Sequence, residues 1–176
     1  FSNTNPVEAF DFPQREMLKA MCDSYGFSLK NLTTWDTVVR REEQNAVSFV
    51  ENHDLRDEGR PIINDKLLAY SYILTHEGYP CVFWHDYFNL NLALGDTPNG
   101  IVALVDAHEK YAGGDTNVLY VDDNLYVMQR EGYADQPGLI YVLNNRGDNW
   151  NGKLVTTKWT NASFAPVAWW SKSDLS

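Results

Sequence analysis

The apolar residues of this chain change their period once, near residue 113, and that change constrains the fold more than any other feature. Residues 7–112 read as a strand followed by a helix, three times over. Val7 to Phe12 is rich in strand formers, and Pro13 suits the first turn of a helix. Met17, Leu18, Met21, Cys22 and Tyr25 then recur at helical spacing until Gly26. Residues 28–45 are polar, with an amphipathic stretch around Leu32, Trp35 and Val38-Val39. Ala46 to Val50 is a second strand, and a polar loop follows from Leu55 to Asn64. Leu67, Leu68, Ser71, Ile73, Leu74 and Thr75 mark the buried side of a second helix, which stops at Gly78. Cys81-Val82-Phe83-Trp84 is a third strand; Ile101, Leu104, Val105 and His108 mark a third helix, ended by Gly113-Gly114. Strands that alternate with helices pair in parallel, because parallel neighbours need a crossover.

From residue 113 onward only strands are expected. Residues 117–121, 124–130, 139–144, 153–159 and 164–170 are short candidates, separated by Asp123-Asn124, Pro137-Gly138 and Arg146-Gly147-Asp148. That pattern predicts an antiparallel β module over 113–176, meeting the α/β part through Trp and Tyr side chains, with Trp150 in an exposed hairpin loop. Residues 1–112 form the α/β part. A parallel sheet of three strands leaves a pairing edge, so it is expected to dock missing strands, a second copy of the chain, or the β module.

Composition removes several function classes. Fourteen Lys and Arg against 24 Asp and Glu give a formal charge of −10, which repels a phosphate backbone and argues against nucleic acid. An apolar content of 44% supports a core and argues against disorder. The longest apolar stretches fall far short of the roughly 20 residues of a membrane helix. The chain opens at Phe1 with no basic segment and apolar run of the kind that marks a secretory leader. Cys22 and Cys81 make neither a disulfide framework nor a four-thiolate zinc site, and read as buried thiols or as one bridge. His53, His76, His85 and His108 are scattered singly, without zinc spacing. No Gly-x-Ser-x-Gly elbow or phosphate loop is present.

Active sites of parallel α/β folds lie at the carboxyl ends of the strands. Two such ends carry polar clusters. Glu51-Asn52-His53-Asp54 follows the second strand, and a carboxylate beside an imidazole can hold hydroxyl groups and stabilise positive charge. The same residues also suit a solvated Asx-type turn. His85-Asp86 follows Trp84, either as a site element or as the polar start of a loop. Trp150 sits amid Asn and Gly and either offers a face to a sugar or caps the hydrophobic end of the module. Asn31-Leu32-Thr33 and Asn161-Ala162-Ser163 match the N-glycosylation triplet, which arises often by chance.

Phe49-Val50-Glu51-Asn52-His53-Asp54 resembles the seventh-strand motif F-V-D/E-N-H-D of the α-amylase family, glycoside hydrolase family 13. Leu67-Leu68-Ala69-Tyr70 and Glu77 to Phe83 resemble the next helix and the G-x-P-x-x-[FY] motif of the eighth strand. Ala9 to Pro13 is similar to the sixth strand. Leu143 to Gly152 and Phe164 to Trp169 are similar to the β domain that follows the barrel, domain C. The motifs come in order and span essentially the whole chain.

The resemblance implies a partial (β/α)8 barrel, strands six to eight, over 1–112, and an antiparallel β-sandwich domain C, truncated at its end, over 113–176. It implies an α-1,4-glucan substrate and a retaining mechanism, with two carboxyl groups about 5 Å apart. Asp54 then stabilises the transition state and His53 orients the same ring; Asn52, His85, Asp86 and Trp150 are the further candidate sugar contacts. The family nucleophile and acid/base follow strands four and five, which this chain does not contain, so the chain alone is expected to be inactive. It needs no cofactor of its own, because the family calcium site is expected mostly upstream of Phe1. Trp84-His85-Asp86 replaces the more usual Tyr-Gly-Asp/Glu. A polymeric substrate implies secretion. A non-catalytic carbohydrate-binding module and a fragment without a ligand are the competing readings.

Overall fold

The computed structural model describes residues 8–95, 98–145 and 151–169. Its first layer is a parallel sheet in the order β1-β2-β3, formed by β1 (Ala9–Phe10), β2 (Ala46–Phe49) and β3 (Tyr79–Cys81). Helix α1 (Phe12–Asp23) returns the chain from β1. Asp11 starts it by accepting from Gln14 N at 2.9 Å, and Met17, Leu18 and Cys22 bury its inner face. The polar stretch before β2 contains two short helices, α2 (Asn31–Thr34) and α3 (Val38–Arg41), with Leu32 as the buried anchor of the first. The second carboxylate oxygen of Asp11 accepts from Val39 N at 2.8 Å, which ties the start of α1 to α3.

Between β2 and β3 lie α4 (His53–Asp57) and α5 (Lys66–Ile73). Leu67, Ala69, Tyr70, Ser71, Tyr72 and Ile73 of α5 are all buried, more of the helix than a single face can supply. The reason is a second layer. Strands β4 (Thr116–Val121), β5 (Leu125–Arg130) and β6 (Ile140–Asn144) form an antiparallel sheet in that order. Asp122 Oδ1 accepts from Asn124 N and Leu125 N, both at 2.8 Å, and closes the first turn. Tyr126, Met128, Tyr141 and Leu143 join Met17, Leu18, Tyr70 and Ile73 in one core. The Tyr141 and Ser71 hydroxyls lie 2.9 Å apart, and the Tyr126 hydroxyl lies 3.0 Å from His76 Nε2. Arg130 Nη1 donates to the Thr75 carbonyl at 3.0 Å. The joint is therefore made by tyrosines, a histidine and an arginine, and no Trp side chain takes part in these bonds.

Several expectations change. Residues 153–159 and 164–169 form no strand, so the antiparallel part is one three-stranded sheet among the described residues and the second sheet of a sandwich is not seen there. The backbone of Lys158 donates to the Gln129 side chain at 3.1 Å, a bond outside any strand ladder, and Leu154 is fully exposed. Apolar alternation shows which face is apolar, and it cannot show that a neighbouring strand offers an edge. The third strand ends at Cys81, and Trp84 leads into a π-helical turn over His85–Asn89. The polar segment after Asp54 begins as a helix instead of a loop. The thiols are free: Cys22 is buried and Cys81 is exposed. Helix α6 (Ile101–Tyr111) closes the α/β part as the spacing predicts. No described helix is long and apolar enough to cross a membrane.

Candidate functional site

The carboxyl ends of β2 and β3 lie side by side, because Phe49 pairs with Cys81 in parallel register. The chain leaves β2 through buried Val50 and Glu51 and turns at Asn52. Asn52 is the N-cap of α4: its Oδ1 accepts from Leu55 N at 2.9 Å. Leu55 is buried and pins the helix down, which turns the first two helical residues, His53 and Asp54, outward. Their side chains are 74% and 70% exposed, and His53 Nε2 lies 3.1 Å from Asp54 Oδ1. The sequence offered two readings of this segment, a solvated turn and a site; locally it is a capped helix whose cap presents the imidazole and carboxylate together.

The β3 exit is its neighbour. The Arg56 guanidinium of α4 lies 6.0 Å over the Phe83 ring, and Phe83 stacks against His85 at 6.0 Å. His85 is half-buried there. Trp84 and Phe88 lie with centroids 4.0 Å apart and ring planes tilted by 37°, and both are largely exposed. Asp86, which the sequence places among the sugar ligands, instead turns inward. It is fully buried, its Oδ1 accepts from Lys66 Nζ at 2.9 Å and its Oδ2 from the Tyr70 hydroxyl at 2.7 Å. A substrate cannot reach a carboxylate already enclosed on both oxygens. Trp150 lies outside the described residues.

Beneath the exposed pair runs a buried ionic network that the sequence reading missed. Glu51 Oε1 accepts from Arg15 Nη2 at 3.3 Å, and Glu51 Oε2 accepts from Ile62 N at 3.1 Å with Lys66 Nζ at 3.5 Å. Arg15 Nε also donates to the Val50 carbonyl at 3.3 Å. Arg15, Glu51, Lys66 and Asp86 therefore alternate in sign. The Tyr70 hydroxyl accepts from Phe83 N at 3.4 Å, and burial beside Asp86 pushes its ionisation far above the usual tyrosine range. A signal for this network was present. Arg15 shares the helical face of Leu18 and Cys22, and Lys66 that of Tyr70 and Ile73, so each cation occupies a core position.

What this arrangement can do follows from its parts. An exposed carboxylate and imidazole can bind hydroxyl groups and oppose a developing positive charge. Glu51 and Asp86, the carboxylates nearest the ends of β2 and β3, are each held by buried cations and face away from solvent. Among the described residues, no three His, Cys, Asp or Glu side chains converge as cation ligands.

No protein-family model matches the chain. It is similar to the α-amylase of Geobacillus stearothermophilus, 32% identical over 140 residues, which is 75% of this chain and 25% of that protein. It is similar to the glucan 1,4-α-maltohexaosidase of Bacillus sp. strain 707, 32% identical over 152 residues, 80% of this chain and 29% of that protein. The α-amylase of Bacillus licheniformis is 31% identical over 172 residues, 81% of this chain and 33% of that protein. The chain thus spans between a quarter and a third of the length of these curated relatives. Among solved structures, a cyclomaltodextrin glucanotransferase with a three-domain ABC distribution superposes with a TM-score of 0.58 at 18% identity, over 87% of this chain and 36% of that one. That likeness concerns the fold. Taken with the relatives and the F-V-E-N-H-D segment at a strand exit, it leads to one assignment: the chain belongs to the α-amylase family, glycoside hydrolase family 13, and corresponds to its carboxyl-terminal part.

Proposed function

We propose that this chain is the part of an α-amylase-type enzyme that supplies the transition-state-stabilising carboxylate, Asp54, for retaining hydrolysis of α-1,4-glucans. The observation that carries the reading is the His53–Asp54 pair, held open at the end of the middle strand by the Asn52 cap and the buried Leu55. Cleavage of a glycosidic bond develops positive charge on the sugar ring, and an exposed carboxylate lowers the energy of that charge more than of the neutral ground state. His53 orients hydroxyls of the same ring, and His85 reaches the cleft from the neighbouring exit. The nucleophile and the acid/base come from strands outside this chain, which complete a (β/α)8 barrel around β1, β2 and β3. Residues 1–112 then belong to the barrel and 113–176 to domain C. Its partners are the glucan and the remainder of the barrel, and the enzyme is secreted, because polymeric starch does not cross membranes.

The test is kinetic. In a full-length α-amylase carrying this segment, Asp54→Asn lowers kcat at least 100-fold with a small change in KM, as loss of one preorganised electrostatic group does. A near-normal kcat in that variant sinks the assignment. One observation favours a second reading, a non-catalytic glucan-binding module: Trp84 and Phe88 are exposed aromatic rings with centroids 4.0 Å apart, an apolar surface against which a sugar ring can pack. Binding of maltooligosaccharide by the 176-residue chain without any turnover, and its loss in Trp84→Ala, is the result that reading requires.

A further inference from the structure

We infer that Lys66, Asp86 and Tyr70 are positioning residues for the cleft, acting through the two strand exits and not through the glucan. The inference rests on the α-amylase-type reading of Asp54. Three facts carry it.

First, Lys66 Nζ bridges two buried carboxylates that belong to different strand exits. It lies 2.9 Å from Asp86 Oδ1, after β3, and 3.5 Å from Glu51 Oε2, after β2. Glu51 stands three residues before Asp54 and directly before the helix cap Asn52. Asp86 follows His85 directly. The bridge therefore fixes the separation of the two segments that face the cleft.

Second, the backbone at each exit is held by a side chain of this one network. The Tyr70 hydroxyl donates to Asp86 and accepts from Phe83 N, and Arg15 donates to both the Val50 carbonyl and Glu51. Lys66 and Tyr70 are one turn apart on α5, so a single helix face sets both contacts.

Third, the chemistry is a poor choice for stability alone. Desolvating two carboxylates and a lysine opposes folding, and well-packed apolar residues of similar volume are often as stable or more so. What charges of alternating sign give, and apolar packing does not, is one defined spacing and orientation. A displacement of about 1 Å at a cleft can cost roughly 100-fold in rate.

The experiment separates position from stability. In a full-length α-amylase carrying this segment, Lys66→Met is made alone and together with Asp86→Leu. The single variant leaves buried Asp86 without its cation, while Glu51 keeps Arg15, and is expected to lower the melting temperature. The double variant replaces the pair by apolar groups and is expected to recover thermal stability. Its kcat is expected to stay 10- to 100-fold below the parent, with KM changed less than threefold. Lys66→Arg, which keeps the charge, is expected to recover at least part of the lost kcat. A double variant with parental stability and parental kcat overturns the inference, since the network would then be structural only. So does a kcat that tracks melting temperature across all three variants. Asp54→Asn measured beside them distinguishes this failure from failure of the underlying reading: if Asp54→Asn is itself near-normal, the cleft assignment has failed and not merely its support.

Discussion

Acidification should loosen the joint between α5 and the antiparallel sheet through one residue, His76. It is fully buried, stacked on Tyr72 at 3.7 Å between ring centroids, and stands 5.8 Å from the Tyr126 ring and 5.4 Å from the Tyr141 ring. Nδ1 donates to the Tyr72 carbonyl at 2.8 Å, with the Thr75 hydroxyl at 3.1 Å, and Nε2 accepts from the Tyr126 hydroxyl at 3.0 Å. That pattern suits the neutral ring. Burial pushes the imidazole down to about 3 from 6.5, nearby Arg130 adds to the effect, and the bond to Tyr72 opposes it. In the unfolded chain the same ring takes its proton near 6.5, so stability is complete above that pH and is lost as the pH falls towards 3. At pH 5 the unfolded state is favoured by the one and a half units between 5 and 6.5, about 2 kcal/mol at 1.36 kcal/mol per unit. Urea unfolding followed by tryptophan fluorescence at pH 7, 6 and 5, on the chain and on His76→Gln, isolates this residue from the carboxylates. The stability gap between the two proteins should narrow by about 2 kcal/mol from pH 7 to pH 5. A gap that stays constant refutes the buried, neutral ring.

Other outcomes follow from the same geometry. The isolated chain should release no reducing sugar from starch above the level of its own Asp54→Asn variant, because a double displacement needs two further carboxyl groups. A thiol reagent should modify Cys81 rapidly in the native protein and reach Cys22 only on unfolding, because burial pushes the Cys22 thiol up to about 12. Gly78→Ala should cost roughly 1–3 kcal/mol in urea unfolding, since φ there is +101° and the added Cβ would stand 2.7 Å from Ser48 Oγ; an unchanged midpoint would remove the close approach of that turn to β2.

The α/β order was legible because each helix has a clear stop and each strand a clear run. Pro13, Gly26, Gly78 and Gly113 stand where the chain does change direction. His53 and Asp54 could be picked out because four polar residues in succession after an apolar strand have no place in a core. Asp86 was misplaced for the same reason in reverse. A carboxylate after a strand looks like a ligand, and only the tertiary position of Lys66 and Tyr70 shows that it is enclosed. The strands expected at 153–159 and over the described residues 164–169 did not form because pairing depends on a partner edge, which no local pattern encodes. The nearly all-round burial of α5 was also hidden, since an apolar helix reads alike whether one layer or two cover it.

That double coverage of α5 bears on how the molecule comes apart. The helix is a shared wall, with one side closing on β2 and α1 and the other on Tyr126, Met128 and Tyr141. Stripping away the antiparallel sheet would open His76, Tyr72 and Ser71 to water and leave their hydrogen-bonding groups to find new partners. The two sheets should therefore melt in one transition, not two. An exchange of the carboxyl-terminal sheet for that of a relative would have to carry the matching histidine, serine and arginine contacts with it. The helix behind the two strand exits is in this sense a keystone: it bears on the sheet whose middle strand leads to His53 and Asp54, and it is itself held upright by strands on its far side.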